Sequence, residues 1–183
     1  MVKFKDIKPF IVDGDWWVDV TFVNLEMQLK SFEETYGLDL NPDFQRGHVW
    51  TESQQILYVE NMLRGMKSGR DIRLNSPAFG TADGNNKSDL KDILLCVDGL
   101  QRLTAVRRFM NNEFKVFGFY LKEYEDLPRD RFASLRIHIN GLQTRREVLE
   151  WYLQMNSGGT VHSESELNRV RLLLNYELDN SRS

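Results

Sequence analysis

Cysteine occurs once in the 183 residues, which excludes an internal disulfide framework. That cysteine, Cys96, lies in the apolar run Ile93-Leu94-Leu95-Cys96-Val97, where a buried small hydrophobe in a reducing, cytoplasmic setting is expected. No stretch approaches the roughly 20 apolar residues that a membrane helix needs. The amino terminus, Met1-Val2-Lys3-Phe4-Lys5-Asp6, has no apolar core behind its charges, so neither export by a standard signal nor membrane insertion is expected. Positive charge is not in excess either: 24 Lys and Arg against 27 Asp and Glu leave a formal charge of -3. No global field draws the chain toward nucleic acid, and any DNA contact has to be local. Internal repeats, low-complexity tracts and linkers are missing too, and the expectation is one domain over residues 1–183.

What is present is a globular composition, 41% hydrophobic and 28% charged, in a chain long enough to bury roughly 70% of its unfolded surface. Trp16 to Val23 reads as extended. Asn24 then caps a helix carrying Leu25, Leu29 and Phe32 on one side and stopping near Gly37. Thr51-Glu52-Ser53-Gln54 has capping-box form, and Ile56, Val59, Met62 and Leu63 give the apolar stripe of a helix that ends at Gly65. Asp71 to Phe79 and Ile93 to Val97 read as paired strands around a polar stretch with the hairpin step Asp83-Gly84. After Asp98 a helix buries Leu103, Val106 and Phe109 or Met110. Phe114 to Phe117 and Leu135 to Ile139 suggest further strands, the second alternating so that His138 faces solvent. Capping boxes at Thr144 and Ser163 start two last helices around the loop Asn156-Ser157-Gly158-Gly159-Thr160.

Three segments are candidates for chemistry. In Leu94-Leu95-Cys96-Val97-Asp98-Gly99-Leu100-Gln101-Arg102 a hydrophobic strand runs into a helix through one glycine. First-turn amides lack intrahelical partners and the helix dipole favours an anion; Gly99 admits a phosphate to the backbone and Arg102 neutralises it. Asp98 is suited to organise Mg2+, to receive a ribose hydroxyl or to orient Arg102, and Gln101 to position a water or a ligand oxygen. Equally, an isolated Asp-Gly-x-x-Arg reads as an N-cap followed by a surface arginine. The second segment, Pro42-Asp43-Phe44-Gln45-Arg46-Gly47-His48-Val49-Trp50, sets Gln45 and Arg46 between aromatic anchors; its alternative is a packed loop with Phe44 and Trp50 in the core, and His48 reads as a hydrogen-bonding loop residue rather than a base. The third is the loop of Asn156, Gly158, Gly159 and Thr160, able to wrap a ligand or simply to turn the chain. Arg64, Lys67, Arg70, Arg73, Arg107, Arg108, Arg145 and Arg146 are expected to form solvated faces balanced by carboxylates rather than a nucleic-acid surface.

Taken together, the three segments resemble the domain at the amino terminus of GmrSD-type modification-dependent restriction enzymes, whose fold is related to ParB and sulfiredoxin. The family's Pro-Asp-Tyr-Gln-Arg-like stretch, Asp-Gly-Gln-Gln-Arg motif and Asn-x-Gly-Gly-like loop match Pro42 to Arg46, Asp98 to Arg102 and Asn156 to Thr160. The resemblance covers about Val20 to Leu174. It implies an α+β fold with a small mixed sheet flanked by helices, and nucleotide binding with hydrolysis of a nucleoside triphosphate in some members. Asp98, Gln101 and Arg102 inherit the catalytic positions, Asp98 also that of a metal ligand. Gln45, Arg46, Gly99, Arg102, Asn156, Gly158, Gly159 and Thr160 inherit phosphate or nucleotide contacts. Leu100 departs from the family by replacing the first glutamine of its central motif, which weakens the case for hydrolysis more than that for binding. Sulfiredoxins would align Gly-Cys-His-Arg with Gly99-Leu100-Gln101-Arg102, and the nucleophilic cysteine is absent here.

The resulting expectation is a protein that binds a nucleoside triphosphate with Mg2+, possesses at most weak hydrolysis, and belongs to a phage or mobile-element defence or counter-defence system with a protein partner. A non-catalytic protein- or DNA-interaction module of the same fold is the main alternative. A ParB-like metal-dependent nuclease is a third, and no paired-carboxylate motif supports it.

Overall fold

The computed structural model describes residues 3–7, 9–14, 16–45, 47–79, 88–128, 133–156 and 164–180. Among the described residues five strands and five α-helices make a mixed α+β architecture. The strands are β1 (Trp16–Thr21), β2 (Leu38–Asp39), β3 (Asp71–Asn75), β4 (Leu94–Asp98) and β5 (Ser134–Asn140). The helices are α1 (Leu25–Tyr36), α2 (Glu52–Leu63), α3 (Leu100–Met110), α4 (Arg145–Asn156) and α5 (Glu164–Asn180). One sheet runs in the order β1-β5-β3-β4-β2. β1 is antiparallel to β5 and β3 to β4, while β5 runs parallel to β3 and β2 to β4.

Sequence alternation sorts the two faces. Ile72 and Leu74 of β3, Leu135, Ile137 and Ile139 of β5, and Leu94 and Cys96 of β4 join one apolar cluster with the buried sides of α1, α2 and α3. Val97 belongs to a second cluster on Phe44, Val148, Leu149, Trp151, Tyr152 and Val170, which brings in α4 and α5. Between Arg73 and Leu74 the β3–β4 register shifts, so Leu74 faces Cys96 while Arg73 faces Asp98. β4 therefore feeds two cores and still delivers Asp98 to the polar face at its carboxyl end.

Helix boundaries follow local chemistry. At α2, Thr51 Oγ1 accepts from the Gln54 N-H at 3.3 Å and Gln54 Oε1 accepts from the Thr51 N-H at 2.8 Å, the expected capping box. Thr144 and Glu147 do the same at α4. Asn24 stands at the N-cap of α1 without a side-chain cap bond.

Three elements differ from expectation. The Phe114–Phe117 segment is not a strand: a single bridge joins Val116 and Phe119 around a tight turn with Phe117 at φ 49° and Gly118 at φ 86°. A two-residue reversal cannot extend a ladder, and Phe114 and Val116 enter the core from it. β3 stops at Asn75, because the Ser76 N-H turns to the Asn140 carbonyl and Phe79 closes a turn on Ser76. β2 escapes a periodicity reading because only two residues pair. The hairpin step Asp83-Gly84 and the cap Ser163 lie outside the described residues. Among the described residues no helix is long and apolar enough to cross a membrane.

Candidate functional site

Asp98 ends β4 and Gly99 opens α3, with Gly99 at φ +111° and ψ 2°. Only glycine adopts that conformation without strain. The side of Gly99 that lacks a side chain faces β3: a Cβ there would lie 2.6 Å from Ile72 Cδ1 and 3.1 Å from Ile72 Cα. The glycine thus seats the first turn of α3 directly against the sheet. Leu100 packs onto the first core cluster from the same turn.

The candidate side chains of this turn are already engaged. Arg102 donates to Asp98 Oδ2, and Arg73 Nη1 lies 3.6 Å from the same oxygen. Two guanidiniums therefore converge on one carboxylate oxygen at the N-terminus of a helix. Gln101 holds the preceding loop: its Oε1 accepts from the Val49 N-H at 2.9 Å and the Trp50 N-H at 3.0 Å, and its Nε2 donates to the Gly47 carbonyl at 2.6 Å. Gln45 secures that loop to the strand by donating to the carbonyls of Cys96 at 2.9 Å and Val97 at 2.8 Å, beyond the point where β2 stops pairing with β4. Arg169 of α5 donates to the carbonyls of Phe44 and Gln45. The first two sequence segments are thereby brought together, with Phe44 and Trp50 as anchors: Phe44 is buried against Tyr152, and the Trp50 ring lies 5.3 Å from that of Tyr58.

Asn156, at the end of α4, is buried and donates to the Tyr152 carbonyl within its own helix. Arg46, Gly158, Gly159 and Thr160 lie outside the described residues. His48 sits 3.0 Å from Gln55 Nε2, in the loop hydrogen-bonding part expected of it. Burial pushes the Cys96 thiol far above its ordinary range, so thiolate chemistry is not available on β4.

Beyond Asp98 the polar face of the sheet continues as a row across four strands: Asp98, Arg73, His138 and Trp17 occupy paired positions on β4, β3, β5 and β1. His138 Nε2 lies 3.0 Å from Asp71 Oδ1, and its side chain is only 14% exposed. The alternation places it on the right face, but the expectation that it faces solvent is corrected by the cover of its neighbours. In the adjacent row Arg136 grips Asp19 through two bonds, at 2.8 and 3.0 Å, and stacks over Trp17. The hydrogen bond from Arg136 holds the Asp19 carboxyl below its ordinary range despite partial burial. Most of the other basic side chains are balanced as expected: Arg107 by Glu26, Arg108 by Glu52 and Glu113, Arg145 by Asp43 and Glu177, Arg146 by Glu150.

The residue missed at the candidate site is Arg73, grouped in the sequence with solvated basic residues. The signal was available, since the alternation Asp71-Ile72-Arg73-Leu74 places Arg73 opposite a buried face and beside the strand that ends in Asp98. Among the described residues no group of three or more His, Cys, Asp or Glu is placed to hold a metal ion.

Fold and site together define a mixed-sheet α+β domain with a charged strand-to-helix turn. The family model described as GmrSD restriction endonuclease, N-terminal domain, matches residues 28–133, more than half of the chain. The protein belongs to this family, which links it to restriction systems and phage defence. No curated protein and no solved structure matches the chain.

Proposed function

We propose that the protein binds a nucleoside triphosphate, as the Mg2+ complex, at the β4–α3 turn, on a ParB/sulfiredoxin-like scaffold. The observation that carries this is the convergence of Arg102 and Arg73 on Asp98 Oδ2 at the start of α3. Side chains that hold a carboxylate there have the charge and the donors to hold a phosphate, and the helix dipole adds to them. Asp98 is the carboxylate that would face Mg2+. Mg2+ needs few protein ligands when phosphates supply the rest, so one carboxylate suits a metal delivered with the nucleotide. Bound there, Mg2+ would neutralise phosphate charge.

Hydrolysis is the weaker half of this reading. Leu100 packs into the core where the family motif has a glutamine, and the amide of Gln101 is committed to Gly47, Val49 and Trp50. These observations favour a nucleotide-sensing module within a defence or counter-defence system over a rapid NTPase.

Arg102→Ala tests the assignment. Loss of a charge-assisted contact worth about 1.5–3 kcal/mol weakens binding by roughly 10- to 150-fold. The measurement is a calorimetric titration of the variant beside the wild type, with circular dichroism confirming that both are folded. Undiminished affinity in a folded variant removes Arg102 from the site and the reading with it.

A further inference from the structure

Arg73 is held by more than Asp98. Its Nε donates to Asp13 Oδ1 at 2.8 Å and its Nη2 to Asp13 Oδ2 at 3.0 Å, a fork-to-fork pair of the kind arginine forms with phosphate. Burial pulls the Arg73 guanidinium down, but the hydrogen bonds and charge of Asp13, with the charges of Asp98 and Asp71, more than offset this and keep it above the ordinary arginine range. Arg73 and Arg102 are each about one-fifth exposed, so both remain within reach of a ligand at the turn.

Asp13 belongs to residues 9–14, which form no helix or strand. Among the described residues the segment is fastened at Ile11, whose N-H and carbonyl bond the Gln154 side chain at 2.8 and 2.6 Å and whose side chain packs on the second core cluster, and at Val12, whose carbonyl accepts from Asn140 at 2.9 Å. Phe10 and Val12 are 76% and 77% exposed and contribute little anchoring. Gly14 fixes the far end, because a Cβ there would meet the Ile139 carbonyl oxygen at 2.4 Å. The strap therefore ends on a rigid backbone approach and carries, one residue earlier, the carboxylate that occupies Arg73.

We propose that Arg73 is a further phosphate-binding residue of the site and that the Asp13 carboxylate stands in its fork as an internal competitor, which an incoming phosphate displaces. This inference rests on the phosphate reading of the β4–α3 turn. The charges explain the competition. Arg73 and Arg102 are balanced by Asp13 and Asp98 in the closed arrangement, and withdrawal of Asp13 leaves one positive charge for the ligand. A simple structural ion pair predicts the opposite response, since removing its carboxylate would only disorder the arginine.

The test titrates inorganic tripolyphosphate into the full chain as wild type, Asp13→Asn, Asp13→Ser, Arg73→Gln and the Asp13→Asn/Arg73→Gln double variant, with thermal melts confirming that each is folded. Removing a competing carboxylate tightens binding about 5- to 10-fold in both Asp13 variants, and Arg73→Gln weakens it about 10-fold or more. The gain from Asp13→Asn disappears in the double variant. Hydrogen exchange gives a second readout: tripolyphosphate accelerates exchange of the Ile11 amide in the wild type as the strap releases. Wild-type binding with unchanged or weaker affinity in both Asp13 variants, or with undisturbed exchange at Ile11, overturns the competitor while leaving the turn as the binding site. Failure of every variant and of the wild type to bind overturns the phosphate reading and this inference together.

Discussion

Gly99→Ala is expected to lower the stability of the protein by about 3–5 kcal/mol, a fall in Tm on the order of 10 °C for a chain of this size. Two costs add. A side chain at φ +111° sits in a region that L residues rarely adopt. The new methyl also meets β3 at 2.6 Å from Ile72 Cδ1 and 3.1 Å from Ile72 Cα. Rotating the Ile72 side chain relieves the first clash but not the second, which is with the backbone of a fully buried residue paired with Ile137 of β5. Relief therefore requires α3 to lift from the sheet, and Leu103, Val106 and Phe109 lift with it. Thermal unfolding followed by circular dichroism measures the effect. A melt within about 2 °C of the wild type would show that the turn is not closed on Ile72.

Gln101→Leu is expected to cost about 2–3 kcal/mol and to weaken ligand binding at the same time, because one amide satisfies two backbone donors and one backbone acceptor. Leucine fills the volume and leaves the Val49 and Trp50 N-H groups and the Gly47 carbonyl without their partner. Val49 is exposed, so water replaces part of its bond; Trp50 is half-buried against the core and recovers less. Gln101→Glu separates the two roles this residue can play. It keeps the acceptor for Val49 and Trp50 and loses the donor to Gly47, so a clamp predicts an intermediate loss of stability with a parallel loss of affinity. A residue that only positions water predicts unchanged stability and affinity with a lower rate of phosphate release. Urea unfolding and nucleotide titration of the same samples distinguish these outcomes.

The parts of the structure legible in the sequence are those governed by local rules. The capping box at Thr51, the stop at Gly37, and the buried positions of α3 depend on residues within a turn or two of one another, and they fall where the pattern puts them. β4 and β5 are legible because a wholly apolar run and a clean alternation suit strands that are buried on two faces and on one. The failures are tertiary. Phe114-Lys115-Val116-Phe117 has strand composition, but Phe117 takes a positive φ and the chain reverses at Gly118. Asp13 sits in a segment without periodicity, and nothing local announces that Arg73 will receive it.

At the candidate site, the sequence gathers the candidate residues at one turn and leaves their hydrogen-bond partners hidden. Asp98, Gly99 and Arg102 stand together as the motif suggests, and Gln45 and Gln101 come to the same end of β4. The amide groups of those glutamines bind backbone rather than open space, a fact that depends on where the loop of residues 47–50 crosses the helix. Gly99 reads from sequence as an opening for a ligand, whereas its missing side chain accommodates Ile72. The same residue type serves close packing or ligand approach, and only the neighbour decides between them.

The most direct test of the proposed function is a calorimetric titration of the purified protein with ATP, GTP, CTP and UTP, with and without Mg2+, while phosphate release is assayed in the same samples. Nucleotide binding at the β4–α3 turn predicts saturable binding of at least one of the four, strengthened by Mg2+, lost in Arg102→Ala and accompanied by little or no release. Absence of binding to all four, by a protein shown to be folded, would contradict it and leave a domain that acts through its surfaces alone.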